Sequence, residues 1–168
     1  LKHFEINMVT PLIKKTYLDE NSINFDEKVT ASEEYNLFMK IMLKGKVCVV
    51  KKILGAWRIS NGTTTDKEIA NWHKERLLTL DGLIKENPEI RNLYPVEINE
   101  AFTRGCYYKV RYLMHINNYK EARKEMKTIA LNSNIYFFLY LITFIPFLWN
   151  FIHLSIIKRI LSQKVLGY

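Results

Sequence analysis

Cysteine is scarce in this chain. Cys48 and Cys106 are the only two among 168 residues. They lie far apart and in no metal-like spacing, which excludes a disulfide framework and a cysteine-based zinc site and suits a reducing compartment. Acids are missing from residues 132–168, where nothing balances Lys158, Arg159 and Lys164. The whole chain carries a net charge of +8, and outside that segment the excess is mild and spread. A nucleic-acid binder would show a denser basic stripe, so no nucleic-acid partner is expected and an anionic membrane surface is the more natural one. No Gly-rich phosphate loop and no Asp-x-Asp pair occurs. No Ser/His/Asp set or Cys/His pair has sequence support either.

What is present suffices for folding. The apolar fraction is 48%, enough for a real core, and disorder is not expected. The length allows one compact domain plus an appendage. The chain begins with Leu1, shows no signal peptide, and reads as the C-terminal piece of a longer protein.

Along the chain, residues 4–18 predict a short strand, a turn at Thr10-Pro11 and a short helix. The polar stretch that follows has Phe25 as its large apolar anchor. A helix is predicted over 34–44, with Leu37 and Ile41 on one stripe, widened by Phe38 and Met42, and Gly45 at the position of a left-handed terminating glycine. "KVCVV" and "ILGAWRI" read as two strands, with Cys48 in the core. Helices follow. One places Ile69, Trp72, Arg76, Leu80 and Leu83 on one face and stops at Pro88. Two more, joined at Asn117-Asn118, form a helical hairpin in which Ala122 packs closely. No repeat period is found.

Residues 135–157 carry no charge, a run long enough to cross a hydrocarbon core of roughly 30 Å. Pro146 interrupts it, and Asn150, His153 and Ser155 dilute it. An interfacial anchor, a spanning helix and a buried helix pair are all open readings. Tyr136, Tyr140 and Trp149 are aromatic types favoured at a headgroup interface.

Glu33 and Glu34 raise the sharper question. Thr30-Ala31-Ser32-Glu33 has the form of a capping box, with Glu33 reaching back to the Thr30 amide. First-turn acids also suit the helix dipole. That accounts for Glu33 and leaves Glu34 as an ordinary first-turn acid.

An ordered set of short motifs suggests more. Phe25-Asp26-Glu27 is followed by Glu33-Glu34 with Leu37, then Gly45-Lys46-Val47, Trp57-Arg58, and Thr63 to Thr65. This order, over residues 6–65, resembles the C-terminal half of the catalytic domain of family 2 glycosyltransferases. The resemblance implies an α/β fragment, a partial GT-A-like sheet with helices, followed by an α-helical extension and an apolar C-terminal helix or helical hairpin. It divides the chain into 1–65 (acceptor side of the catalytic domain), 66–131 (helical extension) and 132–168 (membrane-associating segment).

By resemblance, Glu34 is the general base of an inverting sugar transfer and Glu33 its companion. The family usually has Asp at the base position, and the extra methylene of Glu34 moves the carboxylate by about one bond length, which matters where ~1 Å can cost a hundredfold in rate. Arg58 would face diphosphate oxygens or hold the loop that does, with Trp57, Ser60 and Thr63 beside it on the substrate. Where the family often has a metal-ligating His, this chain has Ser60. Either Ser60 serves weakly or the leaving group is managed otherwise. The implied Mg or Mn ion belongs to the full-length enzyme and would be held mostly by residues upstream of Leu1.

The implied partners are a nucleotide-diphosphate sugar and a glycan or lipid-linked acceptor. The membrane is engaged through residues 134–161, and the expected location is the cytoplasmic face of the membrane. The competing reading is a non-enzymatic, membrane-tethered helical adaptor.

Overall fold

A computed structural model describes residues 6, 8–50, 52–55 and 68–153. The chain divides into two compact units, Leu1–Gly105 and Cys106–Tyr168.

The first unit is helical. It holds α1 (Lys15–Glu20), α2 (Glu33–Lys44), α3 (Ile69–Glu86), the single turn α4 (Ile90–Leu93) and the start of α5 (Pro95–His115). Helix α2 is apolar on two sides. Leu37, Phe38 and Ile41 pack with Ile23 and, from the α1 side, Ile13, Tyr17 and Leu18. Tyr35 and Met39 pack instead with Leu80 and Leu83 of α3, Ile90 of α4, and Ile98 and Ala101 of α5. Each aliphatic side chain buried this way contributes about 1.5–3 kcal/mol. Asn87 ends α3, its amide and side-chain nitrogens both bonding the Leu83 carbonyl at 2.9 and 3.1 Å, and Pro88 cannot continue the helix. Pro95 opens α5, where a missing N–H is harmless.

The expected α/β fragment is not what forms. Among the described residues there is no strand. The β-branched run at 46–50 lies in no regular element, with Val47, Val49 and Val50 all exposed. A strand needs a neighbour to take its backbone groups. Here the Lys52 N–H turns back on the Val50 carbonyl at 2.9 Å instead. Cys48 is accordingly exposed, not core. The first predicted strand also fails among its described residues, since 8–10 are a turn. Phe25 is exposed, and Ile23 and Val29 are the buried anchors of that stretch.

Gly45 has a different purpose from the one its position suggests. Its φ of −120° is not left-handed. The reason for glycine is room, because a Cβ there would stand 2.6 Å from the Tyr17 hydroxyl oxygen. That hydroxyl donates to the Ile41 carbonyl at the end of α2, at 3.2 Å.

The second unit holds the rest of α5, then α6 (Tyr119–Ile129), a 3-10 turn at Ala130–Asn132, α7 (Asn134–Ile142) and α8 (Pro146–His153). Asn117 takes the left-handed conformation (φ 60°) that the tight α5–α6 turn requires, and the Asn118 side chain caps α6 by accepting from the Glu121 amide. Ala122 and Met126 are fully buried against Val110 and Met114 of α5 and Tyr136, Ile142 and Trp149 of α7 and α8.

A single long apolar helix is also corrected. The chain breaks at Thr143–Ile145, ahead of Pro146, and no helix among the described residues is long and apolar enough to cross a membrane. Thr143 is fully buried there, and its hydroxyl bonds the Tyr140 carbonyl at 2.6 Å.

Candidate functional site

The start of α2 is where the sequence concentrates its candidate chemistry. Glu33 and Glu34 occupy the first turn, and both are half-buried. Neither carboxylate makes a hydrogen bond or ion pair with any described residue. Trp57, Arg58, Ser60 and Thr63 lie outside the described residues.

The capping box does not form. Ser32 is the residue at the helix boundary, and its side chain caps nothing. The Thr30 amide, which a capping box would assign to Glu33, is given to Glu75 of α3. One Glu75 oxygen accepts from the Thr30 amide at 3.0 Å and the Thr30 hydroxyl at 3.1 Å. The other accepts from the Ala31 amide at 2.8 Å, the Ser32 amide at 2.9 Å and the Ser32 hydroxyl at 3.2 Å. Burial pushes the Glu75 carboxyl up, but these backbone and hydroxyl donors outweigh it and hold the group below the ordinary carboxylate value.

The same face of α3 continues along α2. Arg76 lays its guanidinium over the Tyr35 ring, 4.0 Å from the centroid. Thr79 accepts from the Asn36 side-chain amide at 3.1 Å. His73 is also buried on α3. Residues 30–32, 35 and 36 are thus all fastened to α3, and Glu33 and Glu34 are the two positions between them that are not.

The role of Glu75 in holding residues 30–32 was not legible in the sequence. The available signal was its place between Trp72 and Thr79, on the inward stripe of α3. A carboxylate there needs partners.

Among the described residues, no group of three or more His, Cys, Asp or Glu side chains gathers that could hold a metal ion.

The second unit carries a half-buried polar chain. The His153 ring nitrogen Nδ1 lies 2.8 Å from the Trp149 carbonyl, and Nε2 lies 2.6 Å from the Tyr107 hydroxyl. The carbonyl can only accept, so Nδ1 carries a proton, and Nε2 shares the second hydrogen bond with the Tyr107 hydroxyl. The ring also stacks on Trp149 at 4.1 Å. Outside this core, Ile135, Phe138, Leu141, Phe144, Phe147 and Phe151 are exposed on α7, α8 and their connection. Arg123 rests over the Phe144 ring at 4.9 Å.

No family model, no curated protein and no solved structure matches this chain, so a functional reading has to be built on these side chains.

Proposed function

We propose that this chain supplies the acceptor side of an inverting glycosyltransferase resembling family 2, with Glu34 as the general base. In such a transfer the acceptor hydroxyl oxygen attacks the anomeric carbon of the donor. The bond from that carbon to the diphosphate breaks, and its electron pair leaves with the nucleoside diphosphate. The hydroxyl proton passes to the Glu34 carboxylate. Glu33 is its companion, and Arg58, Trp57, Ser60 and Thr63 are assigned to the substrate by the same resemblance.

One observation carries this reading. The local capping role offered to Glu33 is taken by Glu75, which leaves two adjacent, half-buried carboxylates at a helix start with no described hydrogen-bond or ion-pair partner. The test is Glu34→Gln in the full-length protein. Transfer should fall by about 10²–10⁴-fold, the usual contribution of a general base, while donor binding by calorimetry stays unchanged. Transfer at the wild-type rate in that variant would end the assignment.

The exposed apolar side chains of α7 and α8 support a second element of the proposal, attachment to an anionic membrane surface. Patches of this kind mark interaction sites. Arg123 stands at the break between the helices, and no acid occurs in residues 132–168, a combination suited to anionic headgroups. Co-sedimentation should be strong with vesicles containing phosphatidylglycerol and weak with pure phosphatidylcholine. Equal binding to both, or to neither, would remove the charge argument. If Glu34→Gln is silent while vesicle binding holds, a tethered helical adaptor becomes the better account.

A further inference from the structure

Glu75 is not a reactant in the proposed transfer, yet it makes the densest set of polar contacts next to the candidate base. Its two oxygens take donors from three consecutive residues, Thr30, Ala31 and Ser32. Three of those donors are backbone amides, so they fix the path of the main chain and not merely one rotamer. Both hydroxyls able to cap α2 locally, on Thr30 and Ser32, are turned to Glu75 as well. On the same helix the next residue, Arg76, lies over Tyr35, and Thr79, one turn on, accepts from Asn36. Glu33 and Glu34 are therefore clamped from both sides by a single helix while their own side chains stay unused.

We propose that Glu75 is the positioning residue of the site: by holding residues 30–32 it sets the direction in which α2 begins, and with it the place of the Glu34 carboxylate. This rests on the sugar-transfer reading of Glu34. It adds that the helix following the catalytic segment is part of the catalytic apparatus. A displacement of ~1 Å at a reacting group can cost a hundredfold in rate, so loosening the bracket acts on the chemical step and not on donor affinity.

The experiment is a double-mutant cycle in the full-length protein. It reads nucleoside diphosphate release from a panel of UDP-, GDP- and dTDP-sugars, with membranes of the producing cell as acceptor. Glu75→Gln keeps the side-chain volume but replaces one accepting oxygen with an NH2 group. Its kcat should fall about 10–100-fold, with donor KM within about twofold of wild type. In a Glu34→Gln background the same change should cost nothing further, because a residue acting only through Glu34 has no effect once Glu34 is gone.

Should Glu75→Gln fail to fold, Thr30→Val combined with Ser32→Ala removes the hydroxyl donors and keeps the amides. A smaller fall in kcat, again absent in the Glu34→Gln background, is then expected. Wild-type kcat in these variants, or losses that multiply in the double variant, overturns the positioning role and leaves the base intact. Wild-type rates in Glu34→Gln alone, or an inert wild type across the whole panel, overturns the sugar-transfer reading itself.

Discussion

The Glu75 carboxylate lies 3.0 Å from the backbone nitrogen and 3.1 Å from the hydroxyl of Thr30, a residue 45 positions earlier. Hydrogen bonds to a charged group contribute about 1.5–3 kcal/mol each, and losing an acceptor strands its donors. Glu75→Gln should therefore cost about 2–4 kcal/mol of stability at pH 7, measured by urea unfolding.

The same carboxylate predicts an acid dependence. Its folded pKa lies below the reference value of 4.5. Its contribution to stability is then fully present above about pH 4.5 and is lost as pH falls through the depressed folded value. Unfolding free energies from pH 7 to 3 should decline in wild type and decline less steeply in Glu75→Gln. Parallel curves would mean that the bracket does not titrate with folding.

Two glycines on neighbouring helices should respond to alanine with opposite signs. Gly82 lies inside α3, and a Cβ there meets nothing within 4 Å. Gly82→Ala should stabilise by about 0.5–1 kcal/mol through helix propensity. Gly45→Ala drives a methyl group into Tyr17 and should destabilise by about 1–3 kcal/mol, and Tyr17→Leu in the same chain should relieve part of that. Thermal melts of the three variants beside wild type give the ordering.

The two cysteines should differ in reactivity. Cys48 is exposed. Cys106 is partly buried, and burial, aided by the nearby Glu125 charge, pushes its thiol up. The thiolate is the reactive form, so iodoacetamide at pH 8 should label Cys48 at least about tenfold faster. Mass spectrometry of partly labelled protein resolves the two sites.

Tyr107→Phe should cost about 1 kcal/mol, the net worth of the part-buried hydrogen bond between its hydroxyl and His153 Nε2. Burial pushes the Tyr107 hydroxyl up despite the opposing Arg111 charge, so it stays protonated and the cost should be flat from pH 7 to 9. A cost that vanishes by pH 9 would place the proton differently.

The helical part of the chain was readable because its information is local. Leu80, Leu83, Ala122 and Met126 recur at helical spacing, and Asn87-Pro88 and Asn117-Asn118 punctuate them. The strand reading failed for a physical reason. Val47, Val49 and Val50 have strand propensity, but a strand is completed by a partner that no local pattern specifies. The fate of residues 30–33 was hidden in the same way. Thr30, Ser32 and Glu33 satisfy a local capping rule, and a distant carboxylate outcompetes it with both oxygens. The acid pair itself stood out in the sequence as a first-turn feature; the residue that fastens the main chain on its N-terminal side did not. Trp57, Arg58, Ser60 and Thr63 lie outside the described residues.

The bracket also fixes an order of events during synthesis. Residues 30–32 leave the ribosome before Glu75 does, and until it arrives their amides and hydroxyls have only local partners and water to bond. A nascent chain halted short of α3 would carry the acid pair on an unanchored stub, so the last step in readying this helix start belongs to a later stretch of the message than the acids themselves.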